Sequence, residues 1–180
     1  MAAVIRPCTP SASPSLSWQP TAFSFAVGYD LLSGNDAFST TAQNHRFDPL
    51  YGTPHKFWGY MDYFYAGTGS PAGGLSNLQA SIRYAGPKKK FSISADYHAF
   101  FLANDMKDKS SATVSRYLGS EIDLSSVYQL NSFVSLEGGL SFLRASRSME
   151  YAKNIAPGTA ALHASWAWLM VNIRPEFLRK

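Results

Sequence analysis

One long connecting stretch of the chain combines cationic and aromatic side chains, and these residue types suit recognition of a sugar or an anion. The candidates are Arg46, His55, Lys56, Trp58, Tyr60 and Asp62. Guanidinium, imidazole and ammonium groups pair with carboxylates, and aromatic rings stack on the apolar faces of sugar rings. Two interpretations have about equal weight: a constriction that contacts an anionic solute, or a loop that only fastens itself to the wall of the protein.

Two carboxylates offer the other chemistry to consider. Glu121 and Asp123 stand at i and i+2, about 6–7 Å apart on one face of a strand, a spacing compatible with glycosidase-like acid–base work. A solvated polar wall is the commoner explanation of such a pair, so we predict that the chain is not an enzyme. His98 and His163 lack the companions that a metal site requires, and the single Cys8 excludes a disulfide framework. No metal or cofactor is expected.

The segments expected to position these residues have a hydrophobic pattern that repeats every two residues. Six segments alternate apolar and polar side chains, and they span residues 22 to 32, 75 to 85, 90 to 102, 117 to 130, 133 to 145 and 162 to 174. The last segment is apolar on both faces. This pattern predicts an all-β protein with antiparallel strands.

The lengths of these strands favour a membrane. Strands of about 11 to 14 residues exceed the usual soluble strand and match a tilted crossing of a bilayer. Short turns at 86 to 89 and 131 to 132 alternate with long connections at 33 to 74, 103 to 116 and 146 to 161, as in an outer-membrane barrel whose long loops face outside. The long loop 33–74 should be ordered and functional.

Composition narrows the classes further. The 180 residues are 46% hydrophobic and 16% charged, and no run of 18 apolar residues occurs. A transmembrane helix is therefore excluded, and a helix-rich soluble enzyme is disfavoured. Lys88, Lys89 and Lys90 form a basic run that indicates a solvated turn rather than a nucleic-acid interface. The alternative is a soluble β-sandwich or an adhesin-like binding protein without transport. It explains the alternation of apolar and polar residues equally well, but it does not explain the length of the strands.

Six strands are too few to close a barrel. Barrels of this type begin at about eight strands, and unpaired backbone groups in hydrocarbon cost several kcal/mol each. We therefore expect residues 21 to 180 to form the C-terminal portion of a larger transmembrane β-barrel. Residues 1 to 20, rich in proline and serine, are expected to be a disordered lead-in.

The polar faces of the strands give the expected lining of the lumen. Its residues are Arg83, Asp96, His98, Glu121, Asp123 and Glu137. A census that includes Asp30 and Arg144 gives five acids against two arginines. Cross-strand pairing, such as Arg83 with Asp96, is expected to stiffen the wall. A channel that passes a polyanion would be expected to have arginine and lysine side chains along its lumen.

A resemblance rests on the string Phe47-Asp48-Pro49-Leu50-Tyr51-Gly52-Thr53-Pro54-His55-Lys56-Phe57-Trp58-Gly59-Tyr60-Met61-Asp62-Tyr63-Phe64, together with 28 to 36, 96 to 100, 118 to 123 and 166 to 171. Over about residues 22 to 177 the chain resembles the C-terminal region of the bacterial alginate export family. The resemblance implies a water-filled barrel of the bacterial outer membrane with many more strands, and a channel or exporter for a polar, anionic polysaccharide or small solutes. Its partners would be outer-membrane lipid, that solute and the barrel-assembly machinery, with no nucleic acid.

Overall fold

The computed structural model describes residues 15–18, 22–40, 43–47, 58–64, 70–108 and 110–175. Its strands are β1 (Ser15–Trp18), β2 (Phe23–Leu32), β3 (Leu75–Ala85), β4 (Phe91–Phe101), β5 (Tyr117–Gln129), β6 (Val134–Ala145) and β7 (His163–Ile173). One short helix, α1 (Ser148–Ala152), lies between β6 and β7. The chain is therefore all-β in its described part, and the six predicted strands are confirmed to within one residue at each end.

The strands form one antiparallel sheet in the order of the chain, from β1 to β7. Each strand pairs with its sequence neighbour along nearly its whole length, for example Phe23↔Tyr84 to Leu32↔Leu75 between β2 and β3. Among the described residues, β7 has no partner beyond β6 and the sheet is not closed. It is an open up-and-down meander, because every connection joins neighbouring strands.

The short strand β1 lies inside the segment 1 to 20 for which the sequence predicts a disordered lead-in. Its four residues pair with β2 from Ser15↔Gly28 to Trp18↔Phe25. The first predicted strand leaves a row of backbone groups unpaired at the edge of the sheet, and an extended neighbour satisfies part of that row. The rest of the segment up to residue 14, with residues 19 to 21, lies outside the described residues.

The two faces of the sheet differ in the opposite sense from those of a soluble protein. One face, called here the apolar face, presents large hydrophobic side chains to the surroundings: Val27 is 53% exposed, Leu140 47% and Leu169 75%. The other, the polar face, holds Glu121, Asp123 and Ser141, each 1% exposed or less. In the middle of the sheet, the buried side chains are therefore polar.

Connections at the two ends of the sheet differ in length. At the turn end, a tight turn at Pro87–Lys89, in which Lys88 and Lys89 have positive φ, links β3 to β4, and residues 130–133 link β5 to β6. At the loop end, three long connections pack together over the polar face. Their apolar cluster consists of Leu32, Trp58, Phe64, Leu75, Phe100, Leu102, Leu118, Leu143, Met149 and Ala152. A register shift between β4 and β5, at Phe100/Phe101, lies beside this cluster.

Candidate functional site

The polar face gathers the residues predicted to line a lumen. In the register of the sheet, His98 lies opposite Glu121, and Asp96 lies opposite Asp123. The six predicted wall residues share this face: Arg83, Asp96, His98, Glu121, Asp123 and Glu137. Glu137 accepts hydrogen bonds from Ser135 Oγ at 2.8 Å and Asn172 Nδ2 at 3.3 Å.

A chain of buried polar side chains crosses five strands of this face, from β2 to β6. Asn77 Nδ2 donates to Asp30 Oδ2 at 3.1 Å, and Asn77 Oδ1 lies 3.2 Å from His98 Nδ1. His98 Nε2 lies 3.9 Å from Asp123 Oδ2, while Ser141 Oγ donates to Asp123 Oδ1 at 2.5 Å. Because each of these five side chains has a polar partner, the network fixes the strands relative to one another rather than weakening the sheet.

Residues 58–64, called here the docked segment, lie against the carboxylates of β5. The backbone N–H of Tyr60 donates to Asp123 Oδ2 at 3.2 Å, and that of Met61 donates to Glu121 Oε1 at 2.9 Å. Gly59 has φ +85°, and a Cβ there would lie 2.5 Å from the Glu121 carboxylate. Only glycine permits this approach without strain. Glu121 Oε2 is buried without a hydrogen-bond partner among the described residues. Because both side chains are at most 1% exposed under the docked segment, these carboxylates are not open to a substrate in this arrangement.

Lys153 holds the docked segment from the loop that follows α1. Its Nζ donates to the backbone carbonyl of Tyr63 and lies 4.5 Å from the centre of the Phe64 ring. Phe64 in turn packs on Phe100 of β4, with ring centroids 5.0 Å apart. Burial lowers the pKa of Lys153. The segment is thus fastened on two sides, by β5 and by the last long loop.

Glu150 organises that last loop. Its carboxylate accepts hydrogen bonds from the backbone N–H of Gly158 at 2.8 Å, from that of Ala160 at 3.0 Å and from Arg147 at 2.9 Å. These donors hold the pKa of Glu150 below its ordinary value, the Gly158 amide contributing most. The loop conformation around α1 therefore depends on an ionised carboxylate.

Acidification is expected to open this loop. A carboxyl whose pKa is depressed by folding stabilises the fold fully above its ordinary pKa, and the contribution is lost as the pH falls through the depressed value. Hydrogen exchange should show the protection factors of the Gly158 and Ala160 amides falling in that acid range. In Glu150→Gln, protection at these two amides should be low at neutral pH and nearly independent of pH. Unchanged protection in the variant would contradict the assigned role of Glu150.

The residues predicted to contact a solute do not form one group. Trp58 is buried in the apolar cluster at the loop end, whereas Tyr60 and Asp62 are half-buried in the docked segment. Arg46 donates through Nε to the carbonyl of Ser70. His55 and Lys56 lie outside the described residues.

Two tryptophans that sequence reasoning did not select lie on the polar face of β7. Trp166 and Trp168 have ring centroids 6.4 Å apart, and with Tyr60 they line a cleft of about 520 Å³ at the sheet edge. Gly139 of β6 makes room for the second indole, because a Cβ there would lie 2.5 Å from Trp168 Nε1. The signal in the sequence was present but ambiguous, since the segment 162 to 174 is apolar on both faces.

Two details of the predicted wall are corrected by the register. Arg144 lies opposite Ser120 and His163, and it shares the apolar face with Phe142. The described polar face therefore carries five acids and one arginine on its strands. Arg83 lies opposite Ser94, whereas Asp96 lies opposite Ser81. Among the described residues, Arg83 and Asp96 form no ion pair.

Comparisons with known proteins were made by sequence and by structure. No family model, curated protein or solved structure matches the chain. Within the described part of the chain, no helix has both the length and the apolar character needed to cross a membrane. The same residues contain no group of three or more His, Cys, Asp or Glu side chains able to hold a metal ion.

Proposed function

We propose that the chain forms part of the wall of an outer-membrane β-barrel channel or exporter that passes polar solutes. The observation that carries the proposal is the inverted sheet: hydrophobic side chains are exposed across one face, while carboxylates, amides and hydroxyls are buried on the other. In water, exposure of so large an apolar field opposes folding. In a bilayer, the same field is in contact with lipid.

The dimensions of the strands support this proposal. Strands of 11 residues, such as β3 and β4, extend about 37 Å at a rise of about 3.4 Å per residue. Tilted by about 40°, they cover the apolar band of roughly 25 Å found in outer-membrane barrels.

Aromatic side chains mark both ends of the apolar face. Phe23 packs on Tyr84 at the turn end with ring centroids 5.0 Å apart, and Phe101 packs on Tyr117 at the loop end with centroids 5.4 Å apart. Aromatic girdles at both lipid–water boundaries are typical of membrane barrels.

The open sheet supports membership of a larger barrel. Backbone groups along the free edge of β7 would lack hydrogen-bond partners in hydrocarbon, where each costs several kcal/mol. Additional strands that pair with this edge and close the barrel would satisfy them. In this proposal the barrel-assembly machinery inserts the closed barrel with its long loops outside.

The solute class follows from the polar face. Tyr60, Trp166 and Trp168 offer rings for stacking on sugars. Elsewhere the polar face carries hydroxyl and amide groups, among them those of Asn77, Ser94, Ser125 and Ser141. We therefore infer a polar polysaccharide or smaller polar solutes as cargo. The resemblance of residues 47 to 64 to the alginate export family makes alginate the first anionic candidate to test, while the excess of acids on the described strands opposes a polyanion. We assign no catalytic step.

Flotation tests the membrane location. The protein is mixed with phosphatidylcholine vesicles and centrifuged through a density gradient, then examined by electrophoresis with and without heating. Flotation together with heat-modifiable migration is the expected result. A protein that stays at the bottom of the gradient and migrates identically in both conditions would instead be a soluble β-sandwich or an adhesin-like binding protein.

The acids of the wall are expected to influence ion selectivity. In planar bilayers, Asp96→Asn combined with Glu137→Gln should lower the permeability ratio of potassium to chloride, because both carboxylates are only half-buried on the polar face. The reversal potential in a salt gradient measures this ratio. Gln129→Asn, a neutral change at the end of β5, is the control. An unchanged reversal potential in the double variant would show that these residues do not line the conducting path.

A further inference from the structure

The apolar face carries one pair of basic residues. Across all residues of β2 to β7, the strands whose side chains are described, Arg144 and His163 are the only Arg, Lys, His, Asp or Glu residues on that face. They lie directly opposite each other in register, and both are exposed. A cation among lipid-facing residues is costly unless it reaches a polar partner.

Within the part of the chain that the structure describes, neither side chain has such a partner. Among the described residues, Arg144 forms no ion pair and its guanidinium no hydrogen bond, and the same holds for the His163 ring. The two border an open groove of about 450 Å³. Ser120 adds a hydroxyl group opposite Arg144, Ser165 adds one opposite Phe142, and Ile122 and Phe142 supply apolar surface to the lining.

The position of the groove along the sheet identifies its surroundings. Arg144 is the last residue but one of β6, and His163 is the first of β7. Both therefore lie at the loop end, where a sheet embedded in lipid meets the headgroup layer. A long arginine side chain extends toward that layer while its methylene groups stay among the acyl chains.

We propose that this groove binds a phosphate-bearing anionic lipid of the leaflet at the loop end. The guanidinium of Arg144 pairs with the phosphate, His163 and the two serine hydroxyls donate further hydrogen bonds, and an acyl chain lies along Ile122 and Phe142. The inference rests on the proposed membrane location, since only a lipid-embedded sheet presents this face to headgroups. Charge complementarity and the continuity of the groove with the apolar field favour a lipid over a soluble anion.

Lipid retention tests the proposal. The protein is inserted into vesicles of phosphatidylcholine with phosphatidic acid, extracted in mild detergent, and examined by native mass spectrometry for bound phosphatidic acid. Arg144→Gln should reduce retention about fivefold, since one cationic group near a charged lipid surface contributes about that factor. Adding His163→Gln to Arg144→Gln should reduce lipid retention further. Arg144→Lys, which keeps the charge, should retain most of the lipid.

The control is Arg83→Gln, which removes the same charge from the opposite face of the sheet. Retention that falls equally in this variant, or that is unchanged in Arg144→Gln, would overturn the lipid site. Flotation of every variant in pure phosphatidylcholine is measured in parallel. If the proteins float but bind phosphatidic acid equally, only the lipid site fails, whereas failure of the unmodified protein to float contradicts the membrane location itself.

Discussion

Replacing Ala80 with arginine is expected to lower the free energy of unfolding of the lipid-inserted protein by about 2–4 kcal/mol. Ala80 is the central residue of β3 and lies on the apolar face, opposite Val27 and Tyr97 in register. In the proposed orientation this position is near the midplane of the bilayer, where a guanidinium loses its hydration. Denaturant unfolding in vesicles, followed by tryptophan fluorescence, measures the change.

The neighbouring residue provides the control. Ser81 is of similar size but belongs to the polar face, opposite Asp96, so an arginine there can approach a carboxylate. Ser81→Arg should change the free energy of unfolding by less than about 1 kcal/mol. Equal costs for the two variants would mean that the apolar face does not meet lipid, and the proposed function would then have to be abandoned.

A second large effect is expected from Gly59→Ala, which should release the docked segment from β5. The added Cβ would lie 2.5 Å from the carboxylate of Glu121, so the backbone must move away and the Tyr60 and Met61 amides must give up their acceptors. Two hydrogen bonds of about 1 kcal/mol each correspond to roughly a 30-fold shift toward the undocked state. Hydrogen exchange at these two amides reports the shift, and single-channel conductance should rise if the segment narrows the path.

Gly158→Ala separates docking from backbone strain. Gly158 has φ +82°, close to the +85° of Gly59, yet an added Cβ there meets nothing within 4 Å. Both variants therefore carry the same strain of roughly 1 kcal/mol, and only Gly59→Ala disturbs the contact with Glu121. An equal loss of unfolding free energy in the two variants would show that backbone strain alone, and not the approach to Glu121, accounts for the effect of Gly59→Ala.

Strands were the most predictable part of the molecule. Glycine, proline or polar turn residues mark the ends of the long period-two segments. The alternation itself assigns each residue to a face, because a shift of one residue would move every side chain to the other face of the sheet. Strand β1 was missed because Ser15–Trp18 is too short for periodicity to be recognised. Arg144 was assigned by its charge instead of its position, although it has the same parity along the segment as Leu140 and Phe142.

The candidate site was only partly predictable. Residues that share a strand face follow from alternation, so Glu121 and Asp123 were found together. The docking of residues 58–64 onto β5 joins positions about 60 residues apart, and a single sequence contains no periodic signal for such a contact. Trp166 and Trp168 could not be assigned to a face because both sides of β7 are apolar.

The apolar cluster at the loop end determines the order in which the protein can assemble. It joins Leu32, Trp58, Phe100, Leu118 and Met149, which come from five separate parts of the chain. Hairpins such as β5–β6 need only local contacts and can form early, whereas this cluster requires the closure of several long loops, with the entropy that this costs. If the strands insert from the turn side, the three long connections must cross the bilayer before they meet. The loop end is then the last part of the protein to fold.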